Sequence, residues 1–520
     1  MMGDEENRGK WNRQIDWFST IVPLIIVILL ALVFFALPGQ SAMILQTIRG
    51  FLGDDYGIYY ALLGTGILLC TLYMAFSKYG RIKLGSGKPK YSSFAWGSMI
   101  FTSTMAADIL FYSLCEWALY ADELYVEQLG GIQKWASTYP LFHWGPIAWS
   151  FYIVLAVAFG FMLHVRKKEK QKFSEACRPL LGDKVDGICG KIVDLIAVLA
   201  LIAGTATTFS LATPLLSSAL CSVFGLQDSI VLTVLILLLI AFVYTLTVWF
   251  GMKGIAKLAA CCAYLFFALL TYFLIGGGET IYILETGFSA LGNMIQNFAG
   301  MATWMDPLRE TGFPQNWTIY YWAYWMVWCV ATPFFIGKIS EGRTIKNTVL
   351  GGYGWGVAGT FTSFIILGNY GMAQQMKHGL DISGFIAQGG SCSEAILKIF
   401  ETMPLTKLGL LLLVITMIAF YSTTFDTITL VVSSYSYKKI PTDQEPDKKI
   451  RIFWAAIFIL FPIALIFSEN SMYSLQSVSI IAAFPIGIIV LVIVAGFFRD
   501  AGRYLREMEG KNKESDESGG

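Results

Sequence analysis

The sequence predicts an all-α polytopic membrane protein, and three observations carry that prediction. Of the 520 residues, 56% are hydrophobic and only 14% are charged, a composition foreign to soluble globular chains. Apolar runs long enough to cross a bilayer recur along the whole sequence, about twelve in number. The lysines and arginines between those runs gather in alternate connections.

Taken in order, the runs fall near residues 18–38, 58–77, 92–120, 141–164, 190–222, 228–250, 255–275, 317–338, 347–372, 404–436, 451–468 and 472–498. Each predicts a helix, because roughly 20 apolar residues rising ~1.5 Å apiece cross a ~30 Å hydrocarbon core with every backbone hydrogen bond satisfied internally. The first run follows a charged tail, residues 1–17, lacks a small-residue cleavage site and precedes many further spans, so it is expected to stay in the membrane. Several runs exceed 25 residues, which predicts tilt or breaks. Residues 279–303, ETIYILETGFSALGNMIQNFAGMAT, mix apolar and polar positions, and a helix along the external interface is expected over 279–307.

A cytoplasmic N-terminus places Arg8, Lys10 and Arg13 inside, and alternate connections then supply Lys78 to Lys90, Arg166 to Lys172, Lys253 and Lys257, Lys338 and Arg343, Lys438 to Lys449, and Arg499 to Arg506 on the same side. Both termini are therefore expected in the cytoplasm of a plasma-membrane protein, with residues 499–520 as a cytoplasmic tail. Residues 18–77 supply two peripheral helices, and 92–275 and 317–498 supply five helices each. An odd number of crossings gives the two groups opposite orientation, the arithmetic of an inverted repeat.

Other classes are disfavoured. Nine cysteines without a CxxC pair, most of them inside apolar runs, argue against a disulfide framework or a zinc site. A net charge of +1 points to no nucleic-acid partner. Walker and GxSxG sequences are missing, and nothing indicates an ATP-driven pump or an intramembrane enzyme. The C-terminal charges are mixed in sign rather than polybasic, which disfavours a lipid-sensing osmotic regulator.

Candidate function lies at mid-bilayer. In WTIYYWAYWMVWCVATPFFIGK, residues 317–338, Tyr321, Tyr324, Trp325 and Trp328 share about a third of the helix circumference. Interfacial belts normally take such residues, whereas an aromatic face near the midplane suits a desolvated cation held by cation–π attraction. Asp108, central in run 92–120, costs several kcal/mol at that depth and is a functional candidate by default. Thr205, Thr207 and Thr208 lie at the middle of run 190–222, and Thr423 and Thr424 in run 404–436. Asp426 sits closer to the cytoplasmic end, where a structural hydrogen bond accounts for it as readily as a functional one. Neither His164 nor His378 has ligand-spaced companions, and no cofactor is expected beyond a coupling H⁺ or Na⁺.

FHWGP at Phe142–Pro146, GFPQNWT at Gly312–Thr318, YWAYWMVW at Tyr321–Trp328 and ISEGRT at Ile339–Thr344, in this order, resemble the betaine/choline/carnitine transporter family. By motif the resemblance is closest to the carnitine/butyrobetaine branch. It implies a LeuT-type fold of two inverted five-helix repeats, twelve transmembrane helices, a homotrimer, and transport of quaternary ammonium compounds by proton symport, sodium symport or exchange. Tyr324, Trp325 and Trp328 match the family's aromatic box, Tyr324 standing where tryptophan is usual, and Trp144 matches the aromatic of the fourth helix. Phe420, Thr423 and Thr424 fit the tenth-helix pattern whose hydroxyls bind sodium in sodium-coupled members. Met105 to Asp108 replace the glycine-rich break of those members, and Asp108 aligns with the aspartate of proton-coupled choline-type members. Cys262 stands where exchangers carry arginine, and Ala331 and Thr332 replace substrate-contacting Gln and Met. The resemblance thus implies substrate binding by Trp144, Tyr321, Tyr324, Trp325, Trp328, Ala331 and Thr332, and coupling by Asp108, Met105, Phe420, Thr423 and Thr424, with proton coupling favoured.

Overall fold

A computed structural model describes residues 15–104, 107–227, 229–247, 251–441, 444–467 and 472–518. Among them the regular elements are all helices, apart from isolated bridges pairing Ile15 with Tyr437 and Lys83 with Thr344. Helical segments lie over each apolar run. Among the described residues eight helices are long and apolar enough to cross a membrane, and up to ten if each of two bent pairs counts as one span.

Burial sorts these helices into centre and periphery. An apolar 18-residue stretch of the span Ile132–Val165 is 94% buried inside the protein, whereas that of Trp17–Ala36 is 28% buried. The first is therefore central and the second lies at the rim. Helix Ile188–Phe224 runs 37 residues without a break and stops at Gly225, whose left-handed φ of 69° turns the chain away. The last helix, Met472–Ser518, continues without interruption past residue 499, so the C-terminal segment is helical as far as Ser518. Arg166 ties it down through Asp500 at 2.9 Å and Glu507 at 3.0 Å.

Helix Thr280–Thr303 is two-faced. Ile283, Gly287, Ala290 and Met294 are buried, and Ile281, Phe288 and Ile295 on the other side are exposed.

The two bent pairs position the site. Ser93–Thr104 and Asp108–Ala121 meet at 65°, and Pro314–Val330 and Thr332–Ile339 at 53°. The second bend has a sequence cause: Pro333 lacks an N–H and its ring would strike the carbonyl of Cys329, so a new helix begins at Thr332 with proline in its first turn. No glycine or proline marks the first bend. Helix Thr332–Ile339 then lies backbone to backbone on Pro146–Gly160, where a Cβ on Gly337 would stand 2.7 Å from the Gly160 nitrogen. Only glycine fits there.

Candidate functional site

A broken helix leaves its last carbonyls without partners, and threonines from two neighbouring helices take up those of Ser93–Thr104. Thr424 donates its hydroxyl to the Thr102 carbonyl at 3.3 Å, the Thr423 hydroxyl stands 3.3 Å from the same carbonyl and 3.0 Å from that of Phe420, and Thr332 donates to the Ser103 carbonyl at 3.2 Å. Across the bend, Asp108 opens the next helix, at the end whose exposed N–H groups favour a carboxylate. The hydroxyl of Tyr324 donates to its Oδ2, and that of Thr208 approaches the same oxygen at 3.4 Å. Thr208 and Tyr324 are themselves 2.6 Å apart. One buried carboxylate thus joins three helices beside the first bend.

The aromatic face continues from this node. Trp325 meets Trp144 edge to face with centroids 5.7 Å apart, and Tyr152 and Trp149 close its other sides at 4.8 and 5.4 Å. Tyr321 lies 5.8 Å from Trp144. Tyr112, four residues beyond Asp108, touches Trp144, Tyr321 and Tyr324 at 5.7, 5.6 and 6.4 Å and donates or accepts a 2.7 Å hydrogen bond with Tyr320. Trp328 points elsewhere, against Gly204 of helix Ile188–Phe224, where a Cβ would come within 3.2 Å of its indole nitrogen. The structure therefore gathers Trp144, Tyr321 and Trp325 into one cluster with Tyr112, and turns Tyr324 toward Asp108.

The coupling candidates divide in the same way. Phe420 faces Phe101 and Phe266 at 6.3 and 5.8 Å, a packing role beneath the first bend. Thr423 also receives a weak contact from the Cys262 thiol at 3.9 Å. Ala331 is fully buried at the second bend beside Thr332. Met105 lies outside the described residues. Thr205 and Thr207 return their hydroxyls to the carbonyls of Leu201 and Ala203, so among the three threonines of that cluster Thr208 alone is placed to reach Asp108. Asp426 accepts from Arg451 in a buried pair that joins helix Lys448–Phe467 to helix Thr406–Tyr435, a structural use.

Sequence reasoning passed over one carboxylate. Glu116 is completely buried two turns beyond Asp108, on the same face, and accepts from the Trp144 indole at 2.8 Å and the Tyr120 hydroxyl at 2.6 Å. The eight-residue spacing from Asp108, together with FHWGP, was the available signal.

No three His, Cys, Asp or Glu side chains are placed to share a metal among the described residues. A cleft of 680 Å³ lined by Arg166, Arg178, Arg499 and Arg503 opens on the lysine-rich side and touches none of these aromatics.

Comparison with known proteins gives the same direction. Sequence identity is 27% to a "Carnitine transporter" of Acinetobacter baumannii, covering 83% of this chain and 79% of the relative. It is also 27% to "Uncharacterized transporter YeaV" of Escherichia coli, covering 84% and 91%. "Glycine betaine transporter OpuD" of Bacillus subtilis is 27% identical over 95% of this chain and 96% of its own. A solved structure titled "Substrate-bound outward-open state of a Na+-coupled sialic acid symporter reveals a novel Na+-site" covers 85% of this chain and 86% of that one at 15% identity, with a TM-score of 0.44, too loose a likeness to carry an argument. The profile described as "BCCT, betaine/carnitine/choline family transporter" matches residues 19–505, nearly the whole sequence, and the chain belongs to this family of membrane transporters.

Proposed function

We propose that this transporter carries a quaternary ammonium or methylated amine compound of the betaine, choline, carnitine or butyrobetaine type across the plasma membrane by alternating access, coupled to protons at Asp108. The observation that carries the reading is the Asp108 node: a buried carboxylate at the bend of one broken helix, bonded to Tyr324 of the other broken helix, which also carries Tyr321 and Trp325 of the aromatic cluster. Indole and phenol faces attract a trimethylammonium head most strongly where water is excluded, and Trp144, Tyr321 and Trp325 are all at most 3% exposed. A head group entering there displaces an edge-to-face contact. The bends allow the halves of each broken helix to swing between inward and outward openings.

The names of two relatives, carnitine transporter and glycine betaine transporter, agree with this head group. The wider arrangement proposed is twelve spans in two inverted five-helix repeats of LeuT type, both termini cytoplasmic, the lysine-poor face external, and a homotrimer. A sodium-coupled mechanism is the second reading. It is favoured by three oxygens, those of Thr423, Thr424 and the Thr102 carbonyl, that converge beneath the first bend. Both hydroxyls lie within donating distance of that carbonyl, and sodium would require them to turn their lone pairs inward.

Uptake of radiolabelled betaine, choline, carnitine and butyrobetaine into proteoliposomes under separate proton and sodium gradients tests the choice. Accumulation is expected under the proton gradient alone and is lost in Asp108→Asn, with exchange retained. Accumulation driven only by sodium moves the coupling to Thr423 and Thr424, and transport of none of the four sinks the reading.

A further inference from the structure

We propose that Glu116, Tyr120, His143 and Thr318 form a proton wire that leads from the lysine-poor face to the back of the aromatic cluster, with Glu116 as the proton's resting place behind Trp144. Glu116, Tyr120 and His143 are each 0% exposed and Thr318 is 5% exposed. The contacts form a continuous series, with the Tyr321 and Trp144 side chains beside its inner end. Tyr120 Oη stands 2.6 Å from Glu116 Oε1 and 2.8 Å from His143 Nδ1, and His143 Nε2 stands 3.0 Å from Thr318 Oγ1. Four groups on three elements are brought into line: helices Asp108–Ala121 and Thr138–His143, and the π-helical turn Pro314–Thr318.

The hydrogen-bond arithmetic of this series admits two arrangements that differ by one proton and keep each of its three contacts as a hydrogen bond. With Glu116 ionised, Tyr120 donates to Glu116, His143 Nδ1–H donates to Tyr120, and Thr318 donates to His143 Nε2. With Glu116 protonated, Glu116 donates to Tyr120, Tyr120 donates to His143 Nδ1, and His143 Nε2–H donates to Thr318. Conversion takes one external proton. An N–H bond forms at Nε2, the Nδ1–H bond breaks as its proton forms an O–H bond on Tyr120, and the former Tyr120 proton passes to Glu116 Oε1. In the protonated arrangement the Thr318 proton turns out of the series, and every other donor and acceptor in it keeps a partner in both states.

Both ends touch functional surroundings. Beyond Thr318, Trp317 donates to half-buried Glu123 at 2.5 Å, toward the lysine-poor connection. At the inner end the Trp144 indole donates to Glu116, and the His143 ring stacks on Tyr321 at 4.9 Å and 16°. Ionised Glu116 strengthens the charge-assisted bond to Trp144 and sets a negative charge behind the rings that face a cation. Protonation removes both. The other titratable groups facing Glu116 are Asp108, Tyr112, Cys115 and Glu123 on its own helix and its extension, Tyr139 beside His143, Tyr320 and Tyr321, and Cys392 against Cys115. Among the described residues its ion-pair partner is His143, at 3.9 Å.

The wire itself stands apart from the proposed substrate and from coupling at Asp108, and its effect on affinity rests on the aromatic-cluster reading. The test is infrared difference spectroscopy of the reconstituted full-length protein, without substrate, after steps in external pH. A protonated-carboxyl band is expected that disappears in Glu116→Gln, persists in Asp108→Asn, and grows at least tenfold more slowly in Tyr120→Phe. Should Tyr120→Phe fail to fold, His143→Asn breaks the neighbouring link and is expected to slow the band likewise. A titrating band untouched by Glu116→Gln, or unslowed by the broken link, overturns the wire. In a second arm, the pH dependence of butyrobetaine affinity is expected to flatten in Glu116→Gln. If it flattens only in Asp108→Asn, Glu116 has no hold on the cluster.

Discussion

Trp325 touches three aromatic rings from the helix region carrying Trp144, Trp149 and Tyr152, so its indole is held rather than free to reorient. Replacing it by leucine keeps apolar volume and deletes the π face. Binding of a trimethylammonium ligand is expected to weaken by about 1–2 kcal/mol, roughly 5- to 30-fold, in a direct binding titration, and an unchanged affinity moves the site elsewhere. Thr208→Val tests the Asp108 node in the same spirit. Valine removes a hydroxyl that faces both Asp108 and Tyr324, and a loss of about 1 kcal/mol or more in thermal stability is expected, as for a buried polar group deprived of a partner. At this scale Asp108 and Trp325 were legible because each breaks the rule for its depth, whereas Trp144, at the external end of its run, was marked only by the family resemblance. Glu116 was not legible, because it lies toward the end of its run, where a carboxylate looks interfacial until the fold buries it against Trp144.

At the scale of elements, the bend between Pro314–Val330 and Thr332–Ile339 follows from Pro333, and Pro333→Ala restores the missing donor. Straightening of that helix is expected to reduce uptake severalfold while equilibrium binding changes less; equal wild-type uptake would show the bend to be idle. The connection that leads into this helix is braced by Asp306, whose carboxylate accepts from the N–H groups of Glu310, Thr311 and Gly312 at 3.1, 2.8 and 2.7 Å. Burial pushes that carboxyl up, yet these N–H donors outweigh it and hold it below the usual aspartate value. A group lowered on folding stabilises above its unfolded value, about 3.9, and loses that contribution as pH falls through the lower folded value. Asp306→Asn is therefore expected to lower the melting temperature at pH 7 and to flatten its fall below about pH 4. An acid dependence identical to the wild type would remove Asp306 from this role. The first bend had no such sequence mark, since no glycine or proline announces it. What sustains it is tertiary: three threonine hydroxyls on other helices receive the carbonyls it exposes.

For the whole molecule, the charge distribution makes a topological prediction. A membrane-impermeant amine reagent applied outside intact cells should label Lys134 and Lys377 and leave Lys88 and Lys439 unlabelled, although all four are exposed on the protein. The reverse pattern inverts the orientation and with it the side from which the Glu116 wire draws its proton. The exposed apolar residues Ile281, Phe288 and Ile295 on helix Thr280–Thr303 belong to the same level of description. They require lipid or protein cover rather than water.

Hydropathy and charge alone determined the class of this protein, because a bilayer demands long apolar helices and sorts lysine and arginine between its faces whatever the interior packing. The aromatic run at 321–328 and Asp108 likewise announced a polar, cation-suited depth, since each is expensive or out of place in hydrocarbon. Only the tertiary structure decided which of these groups meet. It turned Tyr324 toward Asp108 and Trp328 toward Gly204, used Thr423 and Thr424 to receive carbonyls freed by a bend, and brought Glu116 to Trp144. The physical reason is that helical periodicity assigns a side chain to a face, while its hydrogen-bond partner comes from another helix, tens to hundreds of residues away, and local sequence carries no record of that pairing.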